Sequence, residues 1–332
     1  MKISILDQSP IEGKEGAAKA FKNTVRLAQY ADRAGFHRYW LSEHHGFNDL
    51  AGSAPEVLIP YLLAKTKRIR IASGGVLIQH YSPYKIAETF QVLASLEQGR
   101  VDLGIGKSPG GLPAHTEALQ RGKEKEPFIK KFTELLQFLE KSHDEKEPFV
   151  LPRTEKAVPV YLLGSSAKSA AVAGTSGVPF VFAYFVSSDF EEFKRAIAVY
   201  QAHFVGDEQK KSFSVAVGVI AADTDEEAKA LLTSPYCYRV TVNGQQTITV
   251  HNEEDAILYG ETSGNVYHIE KIESGTIYGT QAVIEEKLAP FVQEEGVDEL
   301  IVHTPTANYD ARLHSLQLIK QSVLFTEKTT SA

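Results

Sequence analysis

The sequence predicts an α/β protein whose strands and helices alternate closely enough to close into a (β/α)8 barrel. Three observations lead there. Short β-branched runs alternate with longer amphipathic stretches, the signature of parallel strands joined by crossover helices. About eight such units fit into the 332 residues, which favours a closed barrel over an open sheet. Several runs also end in chemistry rather than in packing residues. One reads Trp40-Leu41-Ser42-Glu43-His44-His45-Gly46, and the next Ile69-Arg70-Ile71-Ala72-Ser73-Gly74-Gly75-Val76-Leu77-Ile78.

Taken in order, residues 2–6 form the first strand. Residues 17–35 carry Ala, Leu and charge at helical spacing and stop at Gly35. Residues 37–42 are a strand, and 55–66 a helix opening on Pro55-Glu56, which suits a first turn. A strand over 69–78 precedes a helix over 83–97 that starts at Pro83 and stops before Gly99. In that helix Ile86, Phe90, Leu93 and Leu96 are expected to form the packing face. Val101–Gly106 is the fourth strand. The remaining pattern gives helix 127–141, strand 158–163, helix 166–174, strand 179–184, helix 189–204 and strand 213–221. It ends with helices 224–232 and 281–295, strand 298–302 and helix 310–323.

Two segments break the rhythm. Residues 107–126, after the fourth strand, are rich in Gly, Pro and charge. Residues 234–278, between the seventh and eighth strands, hold alternating runs on either side of Asn243-Gly244, a strong hairpin signal. Insertions of this length in a compact fold are lids, binding loops or disordered segments. Both are read as candidate lid segments over one mouth of a single TIM-barrel domain spanning 1–332. The polar tail from Glu327 is expected to fray.

Composition narrows the function. With 43% hydrophobic and 23% charged residues the chain is ordinary globular protein. A net charge of -7 argues against general nucleic-acid binding and against attraction to an anionic membrane. A single cysteine, Cys237, rules out an internal disulfide. Met1–Leu6 is too short for the apolar region of a signal peptide, and no apolar stretch is long enough to span a bilayer. A cytoplasmic protein is expected.

A strand ending in two histidines puts titratable groups at the sheet edge. Neighbours on a strand point to opposite faces, so one of His44 and His45 meets the lumen. Glu43 either fixes a tautomer or makes a barrel ion pair. Gly74-Gly75 lets a flat ligand approach the backbone, or else packs a helix. Gly164-Ser165-Ser166-Ala167-Lys168-Ser169 follows an apolar strand and opens a helix, where free amides and hydroxyls bind anions or simply cap the helix. Asp7 and Gln8 end the first strand and either line the mouth or cap a loop. Gln79, His80 and Tyr81 follow the third strand, and Tyr184 and Phe185 the sixth, as further candidates for the cavity.

These motifs in this order closely resemble the bacterial luciferase-like monooxygenases. The resemblance is carried by Glu43-His44-His45, by Ser73-Gly74-Gly75-Val76 and by His80-Tyr81-Ser82-Pro83-Tyr84-Lys85-Ile86-Ala87-Glu88. Gly99-Arg100-Val101-Asp102-Leu103-Gly104-Ile105-Gly106, the opening Ile5–Ile11, Gly279-Thr280-Gln281 and Gly296–Ile301 complete it. It implies a (β/α)8 barrel that holds reduced FMN, delivered by a separate flavin reductase, at the C-terminal strand ends. Oxygen then adds to the flavin to give a peroxide at its C4a position, which oxidises a small organic substrate. It implies His44 as the catalytic member of the histidine pair. It implies a non-proline cis peptide between Gly74 and Gly75, with Ser73, Gly74 and Gly75 supporting the ring. Lys107 stands where many relatives place an arginine on the FMN phosphate, keeping the charge but losing the fork. Ser165, Ser166 and Ser169 map onto the same phosphate site. Paired subunits, a homodimer, are implied as well. A related branch uses the deazaflavin F420 for hydride transfer, and a non-catalytic flavin-binding protein is a further alternative. A metal-dependent hydrolase barrel would need His and Asp ligands at several strand ends. The sequence offers one His-His pair and nothing to complete a metal site.

Overall fold

The structure is a computed structural model and describes residues 1–121, 126–140, 148–244, 246–250 and 252–325. The expected fray from Glu327, the end of the helix at Lys141 and residues 122–125 of the first insertion lie outside the described residues.

The chain begins with β1 (Lys2–Asp7), α1 (Gly16–Ala34), β2 (Arg38–Leu41) and α2 (Pro55–Lys65). Gly35 closes α1 with φ +73° and an N–H to the Ala31 carbonyl, a left-handed cap that glycine adopts without penalty. The expected third strand is divided into β3 (Arg70–Ser73) and β4 (Val76–Leu77), with the expected cis peptide Gly74–Gly75 between them. Next come α3 (Pro83–Leu96), β5 (Val101–Gly106), α4 (Pro113–Gln120), α5 (Phe128–Glu140), β6 (Val160–Gly164) and α6 (Ala167–Thr175). Ser82 caps α3 by accepting from Lys85 N, with Pro83 in the first turn. Ile86, Phe90 and Leu93 are buried as expected, whereas Leu96 is 65% exposed. Ten residues past Ile86 at 3.6 per turn, it falls roughly 80° off the stripe.

The barrel continues with β7 (Phe180–Ala183), a single turn α7 (Tyr184–Ser187), α8 (Phe190–His203), β8 (Phe213–Ala221) and α9 (Asp225–Ala230). After β9 (Tyr236–Val242), β10 (Gln246–Val250), α10 (Glu253–Thr262), β11 (Tyr267–Glu273) and β12 (Ile277–Gly279), it ends with α11 (Gln281–Val292), β13 (Glu299–His303) and α12 (Tyr309–Gln321). Neighbouring strands run β1, β2, β3, β5, β6, β7, β8, β13 and back to β1, every pair parallel. The register sets Ile5 against both Tyr39 and Val302, and Phe180 against Phe213. This is the closed eight-stranded barrel the alternation predicts.

Apolar side chains fill the layer between strands and helices, among them Leu27, Phe90, Phe132, Phe180 and Leu316. Each such burial is worth about 1.5–3 kcal/mol. The lumen is different. Arg38, Asp102 and Glu299 stand at the N-terminal starts of their strands and are all buried. Arg38 Nε donates to Asp102 at 2.7 Å, Nη1 to Glu299 at 2.7 Å and Nη2 to the Tyr161 hydroxyl at 2.8 Å. Arg70 completes the cluster, donating to both Asp102 oxygens at 2.8 and 2.5 Å. An apolar layer of Leu6, Trp40, Val181, Ala216 and Ile301 includes Trp40, whose ring carries the Arg38 guanidinium 4.9 Å from its centroid.

Asp7 belongs to the frame. It accepts from Ser9 N at 2.9 Å, from the Tyr39 hydroxyl at 2.6 Å and from Arg312 at 2.5 Å, leaving Gln8 to line the mouth. Burial alone would raise the carboxyls of Asp7 and Asp102. Arg312 beside Asp7, and Arg38 and Arg70 beside Asp102, outweigh it and hold both below the ordinary aspartate range. A carboxyl lowered by folding contributes stability above its unfolded value near 3.8 and loses it as pH falls towards the folded value. The urea midpoint is therefore expected to decline as acid is added below about pH 5. A midpoint that stayed level down to pH of about 3 would contradict this account of the two carboxylates.

Both insertions build structure over the C-terminal mouth. β9, β10 and β11 form an antiparallel sheet in the order β10, β9, β11. The expected hairpin turns at Asn243 and Gly244, both with positive φ, while Gln245 lies outside the described residues. Leu112 from the first insertion packs with Val240, Val242, Val250 and Tyr259 from the second. No helix among the described residues is long and apolar enough to cross a membrane.

Candidate active site

Beneath that roof lies a cavity of about 840 Å³, at the C-terminal ends of the strands. That is the functional face of this architecture and the volume range of small-ligand sites. Its floor is the apolar lumen layer with Trp40, the one tryptophan of the chain. The roof is Thr247–Val250 and Asp255, and Phe47, Leu50, Phe185 and Val186 stand among its apolar walls.

One wall is bare backbone. A Cβ on Gly75 would sit 2.9 Å from the Gly104 carbonyl, and one on Gly104 only 2.2 Å from the Ser73 oxygen. Only glycine lets these strands approach so closely. Ser73 does not line the cavity. Its hydroxyl donates to Gly104 O at 3.0 Å and accepts from Gly104 N at 2.9 Å, so it braces the bulge from behind.

The histidines sit just past the end of β2, in the segment that leaves the strand. His44 lines the cavity, with Nδ1 3.1 Å from the Ser42 hydroxyl, and packs edge-on against Phe47. His45 turns away. Its Nε2 donates to Glu43 at 2.8 Å, and its ring meets His80 edge-on at 5.6 Å. Glu43, 3% exposed, also accepts from the Tyr81 hydroxyl at 2.8 Å and from Leu77 N at 3.0 Å. It thereby clamps the chain leaving the bulge. Burial first, then this carboxylate, push the Tyr81 phenol above its usual range. His80 donates from Nε2 to the Pro109 carbonyl at 2.8 Å and accepts from Gln120 at Nδ1 at 3.1 Å, pinning the first insertion. Of Gln79, His80 and Tyr81, only Gln79 reaches the cavity.

Lys107 lines the cavity at the end of β5, exposed. Ser165 and Ser169 line it beside the start of α6. Ser166 does not; it is the N-cap of α6 and accepts from Ser169 N at 3.3 Å. Glu192 from α8 takes the Ala167 amide at 2.7 Å, so one donor of that helix start is already engaged. Six of the eight expected site residues therefore share one cavity, with Ser73 and Ser166 as their supports.

Sequence reasoning missed Lys131, a cation only 7% exposed that lines the cavity and donates to Gln79 O at 3.2 Å. Its place in the buried stripe with Phe132 and Leu135 of α5 was the available signal. It likewise missed Glu192. Among the described residues no group of three or more His, Cys, Asp or Glu is placed to hold a metal ion. Of the sixth-strand aromatics, Phe185 faces the cavity, while Tyr184 packs outward on Phe291 with ring centroids 4.7 Å apart.

Known proteins resemble the chain over nearly its full length. The family described as luciferase-like monooxygenase matches residues 1–299. The N-acetyl-S-alkylcysteine monooxygenase of Bacillus subtilis (strain 168) is 38% identical over 330 residues, covering 98% of each chain. The structure of apo-MsnO8 shares the fold with a TM-score of 0.79 at 27% identity, covering 98% of this chain and 99% of that one. The oxygenating constituent of 3,6-diketocamphane monooxygenase from Pseudomonas putida, in complex with FMN, shares it with a TM-score of 0.69 at 21% identity and 98% coverage of both. By that family match and that relative, the chain is an enzyme of the luciferase-like monooxygenase family.

Proposed function

We propose that the protein is the oxygenase component of a two-component system, taking reduced FMN from a separate flavin reductase and using O2 to oxidise a small organic substrate. One observation carries the reading. The cavity joins a side-chain-free wall at Gly74-Gly75 to the cation and hydroxyls of Lys107, Ser165 and Ser169. A flat ring with an anionic tail matches both halves. When bound, the reduced flavin supplies the electrons and the activation of oxygen. The chain supplies the rest. Gly74 and Gly75 present bare backbone to the ring, and Lys107, with Lys131, balances the phosphate. Trp40, Leu6 and Ile301 keep the floor dry, and His44 moves a proton at the cavity wall. The two insertions serve as the lid.

N-acetyl-S-alkylcysteines are the first substrates to assay, because the 38% identical relative is named for them. Oxygen uptake that depends on a reductase, FMN and one of a panel of such compounds is the expected result. Substrate-dependent reduction of oxidised F420, with no turnover on reduced FMN, would replace this reading by the dehydrogenase one. Lys107→Ala is expected to weaken FMN about tenfold, roughly 1.4 kcal/mol, and to leave riboflavin, which lacks the phosphate, unaffected. Equal loss for both flavins would remove Lys107 from the phosphate site. Pairing of two subunits is supported by four exposed apolar side chains, Val57 and Tyr61 on α2 and Val92 and Leu96 on α3.

A further inference from the structure

We propose that the N-terminal mouth of the barrel carries an anion site, separate from the cavity at the C-terminal mouth. Its ligand is a phosphate-bearing small molecule, held by Lys2, Arg33, Arg68 and Lys320. The proposal does not depend on the flavin reading.

A recess of about 740 Å³ opens at the strand starts. Lys2 comes to it from β1, Arg70 from β3 and Arg68 from the loop before β3, while Arg33 and Lys320 come from the last turns of α1 and α12. Arg70 is spent on Asp102 and on the Gly99 carbonyl. Among the described residues, the other four make no ion pair with a carboxylate. Arg68 Nη2 donates to the Asp32 carbonyl at 3.1 Å and Lys320 Nζ to the Gly35 carbonyl at 3.2 Å. A guanidinium has five N–H donors and an ammonium three, so both keep donors for a ligand. Asp32 is the acidic residue that lines the recess, and its carboxylate is committed to the amides of Lys67 at 2.9 Å and of Arg68 and Ile69 at 2.8 Å. Arg33 and Lys320 also suit the negative ends of their helices, but Lys2 and Arg68 lie in no helix, so no helix dipole accounts for them. On a chain of net charge -7, these four cations around one recess reverse the sign locally and draw small anions to it. His37 lines the same recess. Burial first, then Arg38, with Lys2 and Arg70 adding to it and Glu299 opposing, bring its imidazole down to about 4. Phosphate fits the donors, because its several oxygens can meet groups from different elements and pair with a guanidinium fork. Leu324 and Phe325 give the recess an apolar edge for an organic portion.

The test is NMR of the His37 ring signals in the full chain, assigned through His37→Gln, during titration with inorganic pyrophosphate and with ADP. Each probe is expected to move those signals to saturation. The titration midpoint of His37 is expected to rise from about 4, because a neighbouring anion favours the imidazolium. The tighter probe names the source of the phosphate, free or carried on an organic group. Lys2→Ala combined with Arg68→Ala is expected to weaken binding about tenfold or more at an unchanged urea midpoint, as for loss of charge-assisted hydrogen bonds. The His37 response is expected to persist in Lys107→Ala, which separates the recess from the cavity. His37 signals that stay fixed at millimolar pyrophosphate and ADP overturn the proposal. Equal affinity in the double variant overturns it too, and so does a response lost in Lys107→Ala.

Discussion

Asp102→Ala is expected to cost about 3–5 kcal/mol of folding stability, a large share of the roughly 5–15 kcal/mol that holds a domain together. Asp102 is fully buried in the lumen. It receives Arg38 at 2.7 Å and Arg70 at 2.8 and 2.5 Å. Removing it leaves Arg38, 3% exposed, with Glu299 and Tyr161 but without half of its balancing charge. A buried charge deprived of its partner is far more harmful than the pair was helpful. The urea midpoint should fall steeply with the slope unchanged. The exposed Lys85–Glu88 pair is the contrast, at 3.1 Å but in water. Glu88→Ala should move the midpoint by less than about 1 kcal/mol. Similar losses at both positions would show that the lumen cluster is not the strut described above.

His44→Ala is expected to lower kcat by about 10²–10⁴-fold while FMN binding stays within a factor of about two, as for loss of a proton-transferring group outside the cofactor anchor. The separation follows from placement. His44 is held by Ser42 on the segment leaving β2, while the candidate phosphate groups Lys107, Ser165 and Ser169 come from the ends of β5 and β6. A parallel loss of flavin affinity would make His44 a part of the binding surface. Unchanged turnover would remove it from the chemistry.

The parts of the fold that were legible in the sequence are those governed by local chemistry. Gly35 ends α1, Ser82-Pro83 opens α3 and Asn243-Gly244 turns β9 into β10, each within a few residues of its cause. The α10 helix was legible too, since Asn252 caps it and Glu253, Glu254 and Asp255 fill its first turn. The alternating runs before it drew attention to strands alone. What could not be read is what depends on distance. Arg38, Asp102 and Glu299 meet across three strands far apart in sequence, and no local pattern announces them. Asp7 was open between mouth and loop, and only the approach of Arg312 on α12 decides for the frame. Six of the eight expected residues share one cavity because they stand at or just past strand ends, where the ordered motifs of the family resemblance placed them. Ser73 and Ser166 show the limit of that logic: each stands beside residues that line the cavity, yet spends its hydroxyl on a backbone group behind the wall. Lys131 shows the converse, a charge inside a helical stripe that composition alone assigns to solvent.

The most direct test of the proposed flavin cavity uses the floor itself. Trp40, the only tryptophan, lies in it, so its fluorescence reports occupancy without any label. In an anaerobic titration, FMN should quench that emission to saturation at one flavin per chain, with tighter binding when the flavin is reduced. Trp40 emission that stays constant through the titration, in both redox states, would contradict the account.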